Sequence, residues 1–531
     1  MSRLLRPLAA FTLAALVAHA GLATADAGDT SASSSRSERR LAALERPAET
    51  ILEVLAVDEA GRWRALIDGR LAALRDPEAA TASAVDEVSP ADAARLRGHL
   101  TSILARSGAR VAVHVRDVGA PEPLFDRRGD ARLNPASNQK VLTSIAAAEL
   151  LGADYRFETR VVRAGAILYL IGEGDPSLQE RDLHDLAAAV IARGAHRGVE
   201  AIVVDDSAFS PEQIGPGYHG LGDGASYEAP SGALSLAFNT VEVRVTPGPW
   251  GEPAIVRTQP ASAAVVIDGV VKTGRGRPLA VQSGRDGERT RIRVDGAIAG
   301  GKAPQSVRRR VGDPGLFTGG AFATILAELT EAEPLPVRRG LAPAGAPAVV
   351  VHRSAPLSAV LASALKYSNN FTTEQVLRTL GWRASGEPGS WENGAAAIRA
   401  LWVAVGNDAG DLAFENGSGL SSHGRVTPRG LVRMLELTQR TGSHAAELLP
   451  AFAGPGGEGT LRLRMPRASG RVRGKTGTIG GVSALSGLVA ARDGRRTIAF
   501  SILINGPQDL RASRRIQDQV VLALVDHLDR G

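Results

Sequence analysis

The C-terminal end of the chain constrains the fold more than any other part of it. The run RVRGKTGTIGG, Arg471–Gly481, leads into VSALSGLVAA, the turn Asp493-Gly494, TIAFSILIN, and helical spacing from about Ser513. Three extended runs joined by glycine-bearing turns make a meander. A helix that follows directly must pack on that sheet, so the order predicts an α+β layer. The same segment holds Lys475-Thr476-Gly477, and lysine is scarce: five residues among 62 basic ones. Motifs that demand lysine seldom arise by chance in such a composition.

At 531 residues the chain exceeds one ordinary core, and two to four domains are expected. Hydrophobic residues make up 44% and charged ones 22%, which describes a globular protein rather than a disordered or membrane-embedded one. The N-terminus places Arg3 and Arg6 before an apolar run from Leu8 to Val17 and small residues ending at Ala20 or Ala25. This order reads as a secretory signal peptide over residues 1–25, cleaved near one of those alanines. The mature chain is then expected in the periplasm or another extracytoplasmic space, with no transmembrane anchor after cleavage. There is no cysteine, so neither disulfides nor a lipidated cysteine can hold or anchor it. The pI near 9.9 places anionic wall polymers within electrostatic reach. Nucleic acid is not expected as a partner, because the arginines are scattered among acids without an aromatic-interleaved stripe.

Leu41 to Arg75 shows helical spacing. In SPADAARLRGHLTSIL, Ser89 is an N-cap with Pro90 at the first helical position. RVAVHVRDV and PLFDRRGD read as a hairpin. Pro135 precedes an Ala/Leu-rich helix that Gly152 ends. From about Tyr155 to Gly345 the texture changes to short Val/Ile-rich strands. Helical pattern returns in APLSAVLASALKYSNNFTTEQVLRTLGW and after Thr427-Pro428.

Ser137-Asn138-Gln139-Lys140 stands where the helix begins. A serine hydroxyl attacks only if a base takes its proton, and the i, i+3 spacing sets Lys140 on the same helix face. A desolvated lysine near other cations can lose its proton around neutrality. The helix N-terminus adds amides suited to an oxyanion. A second Ser-x-x-Lys, Ser363 to Lys366, lies only five positions before Ser368-Asn369-Asn370, too close to face that Ser-x-Asn from another element. A second Lys-Thr-Gly, Lys272 to Gly274, is followed by RGRP and lacks a continuing strand, which reads as a surface turn. Ser-x-x-Lys, Ser-x-Asn and Lys-Thr-Gly in this order are the pattern of serine β-lactamases and penicillin-binding proteins.

With GEGDPSL (Gly172–Leu178), YEAPSGALSLAFN (Tyr227–Asn239), ENGSGLSSHGRVTP (Glu415–Pro428) and GPGGEGTLRLRM (Gly454–Met465), the chain from about Ser89 onward resembles the low-molecular-mass class C penicillin-binding proteins. These are the D-alanyl-D-alanine carboxypeptidase/endopeptidases of peptidase family S13. The resemblance implies a penicillin-binding-protein/serine β-lactamase-like transpeptidase domain over 89–175 and 346–531, an antiparallel sheet covered by helices. It also implies a mostly β insertion at 176–345, and residues 26–88 stay an extension of unassigned role.

By resemblance, Ser137 is the nucleophile and Lys140 its base. Ser368 relays a proton to the leaving amine and, with Lys475, keeps Lys140 neutral. Asn370 holds the acyl amide, Thr476 and Thr478 flanking Gly477 bind the terminal carboxylate, and the amides of Ser137 and Thr478 form the oxyanion hole. Peptidoglycan stem peptides would be substrates and β-lactams acylating inhibitors, with no cofactor and no metal. Asn369 stands where the family often has an acid, and Ser422-His423 where it tends to have arginine and asparagine.

Two other readings stay open: a β-lactamase or serine esterase with the same site, and a non-catalytic wall-binding homologue. Gly-x-Gly-x-x-Gly at Gly215–Gly220 and Gly454–Gly459 lacks the strand-to-helix setting of a dinucleotide site and reads as loops. The ten histidines lack ligand spacing. Asp205-Asp206 reads as a solvated strand end.

Overall fold

The computed structural model describes residues 48–75, 89–105, 107, 110–218 and 224–530. The signal-peptide reading of 1–25 and most of the extension 26–88 fall outside the described residues. Ala56–Gly531 forms one compact unit. Among the described residues no helix is long and apolar enough to cross a membrane.

Helix α1 (Ala48–Arg75) buries Ile67 and Leu71 and sets the Trp63 ring edge-on to Tyr155, 5.6 Å between centroids. Helix α2 (Pro90–Ala105) is capped as expected: Ser89 Oγ accepts the amide of Asp92 at 3.1 Å. It buries Leu96, Leu100, Ile103 and Leu104 at helical spacing. Strands β1 (Arg110–Asp117) and β2 (Phe125–Arg127) form the expected hairpin. After a 3₁₀ turn, Ala136–Asn138, comes α3 (Gln139–Leu151), which Gly152 ends. All thirteen residues of α3 are buried, as a helix enclosed on every side by the core must be.

Strands β3 (Glu158–Ala164), β4 (Ile167–Gly172) and β5 (Ala201–Asp205), with α4 (Glu180–Ala192) between the last two, open the inserted region. Strand β6 (Thr240–Thr246) pairs on one side with β7 (Ile255–Gln259) and on the other with β8 (Gln305–Arg310). Val265–Gly269, Ala280–Asp286 and Arg289–Asp295 form another small sheet. Helix α5 (Pro314–Thr330) follows, then β9 (Val337–Arg339) and β10 (Ala348–Arg353). The sheet β9-β5-β4-β3-β10 takes β3, β4 and β10 from beyond the expected bounds at 175 and 345. Sheet membership is decided by backbone pairing across the chain, which local texture does not report. The insertion also holds two helices that the mostly β reading missed: α4 and α5 bury Leu183, Leu186, Val190, Phe317, Phe322 and Leu326 in one core with the strands. Apolar residues all round α5 hid its helical period, although Asp313, accepting the amide of Leu316 at 3.0 Å, and Pro314 mark its start.

Helices α6 (Ala362–Tyr367), α7 (Asn370–Ser385), α8 (Trp391–Ala404) and α9 (Pro428–Glu436) come next in the chain. The meander is β11 (Val472–Ile479), β12 (Val482–Ala490) and β13 (Thr497–Asn505), closed by α10 (Leu510–Leu528). Its helix starts three residues before the expected Ser513 because Asp509 caps it, accepting the amide of Arg511. The sheet runs β11-β12-β13-β1-β2 and every neighbour is antiparallel. On β12, Ala484 and Leu488 pack into the core around α3, whereas Leu485 and Val489 pack into the one with α2 and α10. The strands read as continuous apolar runs because helices cover both faces.

Candidate active site

Four chain segments meet at the N-terminus of α3. Ser137 lies in the 3₁₀ turn that opens the helix, one turn before Lys140, whose Nζ is 3.1 Å from Ser137 Oγ. The same Nζ donates to Asn370 Oδ1 at 2.8 Å and to the carbonyl of Ser418 at 2.7 Å. Asn370 opens α7, so two helix N-termini, each the positive end of a dipole, converge on one place. From β11, Lys475 Nζ donates to Ser368 Oγ at 2.9 Å and to the carbonyl of Thr476 at 2.7 Å.

Backbone conformation sets these atoms. Ala136, next to Ser137, and Ser368, which ends α6, have φ of 46° and 63°. Left-handed residues other than glycine cost roughly 1–2 kcal/mol each, and they persist where surrounding packing enforces them. Gly477 has a different duty. A Cβ there would sit 2.7 Å from the Pro135 carbonyl oxygen and 3.1 Å from the Ser137 amide nitrogen, so only glycine lets β11 run against the turn that holds Ser137. Gly419, with φ +77°, allows the same close approach to that turn, since a Cβ there would run into the Ala136 carbonyl oxygen.

Both lysines are fully buried. Desolvation brings the Lys140 ammonium down to about 7, against the opposing pull of the Glu374 carboxylate. Lys475 is held well below the usual lysine range, first by desolvation and then by the Lys140 charge beside it. Two cations this close in a dry site resist being charged together, so a neutral amine is available next to Ser137.

Of the remaining expected residues, Thr476 Oγ1 donates to Thr460 Oγ1 at 2.8 Å and Thr478 is exposed at the same strand. Asn369 caps α7, its Oδ1 accepting the amide of Thr372 at 3.2 Å. An acid would serve equally there. Lys366 leans on Glu458 and Ser363 bonds Thr372, both away from Lys140. Lys272 is exposed on a two-residue strand. Gly454–Gly459 is a loop, while Gly220 lies outside the described residues. Asp205 is buried rather than solvated: it accepts from Ser207 and from the Ala342 amide, and Asp206 pairs with Arg339. Among the described residues no group of acids and histidines could hold a metal.

Glu374 and Ser418 escaped the sequence reading. Glu374, buried on α7, accepts the amides of Gly417 and Ser418 at 3.0 Å each, Trp391 Nε1 at 2.8 Å and Tyr218 OH at 3.2 Å. Ser418 lies inside the ENGSG run, Glu415–Gly419, which is a usable signal. Glu374 had none, since one acid in TTEQ looks like a solvated helix position.

Comparison with known proteins covers most of the chain. Residues 93–526 match the model of the D-Ala-D-Ala carboxypeptidase 3 (S13) family. A D-alanyl-D-alanine carboxypeptidase of Actinomadura sp. (strain R39) is 33% identical over 477 residues, 84% of this chain and 87% of that protein. One from Haemophilus influenzae is 25% identical over 413 residues, 75% and 86% of the two chains. The crystal structure of penicillin binding protein 4 from Haemophilus influenzae superposes with a TM-score of 0.67 at 23% identity, covering 80% of this chain and 98% of that one.

Proposed function

The chain belongs to the D-Ala-D-Ala carboxypeptidase 3 (S13) family and is a serine-type DD-peptidase acting on peptidoglycan, and on that premise we propose how its residues divide the work. Lys140, neutral, takes the proton of Ser137, whose Oγ attacks the carbonyl carbon between two D-alanines. The amides of Ser137 and Thr478 receive the negative oxygen. Ser368, held by Lys475, passes the proton to the departing amine, and the C–N bond breaks to leave an acyl-serine. Water then cleaves that ester and Ser137 regains its proton. Asn370 holds the acyl amide, and Thr476, Gly477 and Thr478 with Lys475 receive the terminal carboxylate.

The observation that carries this reading is the 3.1 Å approach of a buried, easily deprotonated Lys140 to Ser137. A β-lactamase must also deacylate quickly through an activated water. The carboxylate whose charge reaches Lys140, that of Glu374, has its oxygens taken by two amides, an indole and a phenol. This disfavours the β-lactamase alternative. The intact pair of lysines disfavours the non-catalytic one.

A β-lactam is expected to acylate Ser137. The test is intact-mass spectrometry of the protein after incubation with penicillin, with peptide mapping and Ser137→Ala as control. A stable adduct on Ser137 supports the assignment. Unmodified protein with intact drug would sink it, and unmodified protein with hydrolysed drug would move the chain to β-lactamase. Arg3, Arg6 and the apolar run after them support export; N-terminal sequencing of the protein recovered outside the cytoplasm should begin near residue 21 or 26.

A further inference from the structure

Arg244 on β6 and Arg257 on β7 stand directly opposite each other in an antiparallel pair. Directly opposite residues share a face with their Cβ atoms about 5 Å apart, and like charges so placed destabilise the pair. Both side chains are exposed, and among the described residues neither has an ion-pair or hydrogen-bond partner. The neighbouring acids are already engaged. Glu242 accepts from Ser306 at 2.7 Å and pairs with Arg308 at 3.5 Å, while Glu180 accepts from Gln259 Nε2 at 3.1 Å. A cavity of about 590 Å³, open to solvent, lies over the pair and is also lined by Thr246, Thr258, Gln259 and Glu180. None of its lining residues belongs to the peptidase site.

We propose that this face of β6 and β7 binds a phosphodiester-bearing anionic polymer, with one phosphate clasped between Arg244 and Arg257. Two guanidinium forks approaching from adjacent strands suit a group with several acceptor oxygens in a tetrahedron, whereas a planar carboxylate is satisfied by one fork. Thr246 and Gln259, on the same face as the two arginines, offer uncharged hydrogen bonds to the atoms on either side of the phosphate. Glu180 sets a limit: its carboxylate tolerates the single charge of a diester better than the double charge of a monoester. That the polymer belongs to the cell wall rests on the peptidase reading; the anion site itself does not.

The test uses the full mature chain and a glycerol-phosphate oligomer, with an oligogalacturonate of matched charge as second probe, titrated calorimetrically at low salt. Arg244→Gln/Arg257→Gln is compared with wild type and with Arg293→Gln/Arg495→Gln, which removes the same charge elsewhere. Loss of two charge-assisted contacts should weaken the phosphate oligomer at least about tenfold in the first variant and little in the second. No binding by wild type, equal weakening in both variants, or tighter binding of the oligogalacturonate would each overturn the proposal. Penicillin acylation is followed on the same samples and should be unchanged, so a failed peptidase assignment shows separately.

Discussion

The carboxylate of Glu374 accepts the amide of Ser418 at 3.0 Å, and the carbonyl of that same Ser418 accepts Lys140 Nζ at 2.7 Å. One acid thus holds, through its amide, the residue on whose carbonyl the proposed base rests, and its charge also raises the affinity of Lys140 for a proton. Glu374→Gln should therefore do two things. It presents an amide N–H₂ to buried donors, costing about 1–3 kcal/mol by denaturant titration. It also moves the acidic limb of the acylation pH profile downward. A limb that stays in place would refute the electrostatic part.

Lys140 releases its proton near 7 in the folded protein, below its ordinary 10.5. Acylation by penicillin should rise with pH through about 7 and level off above. Stability has the same sign. Between about 7 and 10.5 the unfolded chain binds the proton that the folded one has released, so folding becomes more favourable as pH increases across that window. Lys475 is lowered in the same sense. Denaturant midpoints at pH 6.5 and 9 compared with those of Lys140→Met would reveal it, the variant having the shallower dependence.

Gly477→Ala should leave the fold intact and damage the chemistry. The new methyl pushes β11 off the Pro135 carbonyl and the Ser137 amide, and a displacement near 1 Å can cost on the order of 10²-fold in rate. Acylation kinetics beside a thermal melt separate the two effects.

Trp63 packs on Tyr155 and lies under the Arg383 guanidinium, 5.2 Å from its carbon. Arg383 in turn pairs with Glu173 at 2.9 Å. Trp63→Ala should lower stability by about 2 kcal/mol while acylation stays near wild type. A large fall in acylation at unchanged stability would mean that α1 reaches the site by a route the packing does not explain.

The parts legible in the sequence are those written at short range. Ser137 and Lys140 share one helix turn, the lysine of Lys-Thr-Gly stands out in a lysine-poor chain, and the meander announces itself by turns and apolar runs. The α+β class and the family followed from these. Glu374 was not legible because its importance comes from amides more than forty residues away. The membership of the five-stranded sheet β9-β5-β4-β3-β10 was hidden for a similar reason: β10 reads like any short strand, and only its pairing with β3 assigns it.

The pairing of β1 with β13 has a consequence for how the molecule is made. Arg110 waits for Asn505, and every residue of β1 waits for a partner roughly four hundred positions downstream. Contacts of such separation form late and slowly. Lys475 also lies on β11, at the far edge of the same sheet. During synthesis the turn of Ser137 and Lys140 exists long before the strands that complete its surroundings, so on the proposed division of roles partial chains have no working centre, and the hydrolase is switched on only by its own last strands.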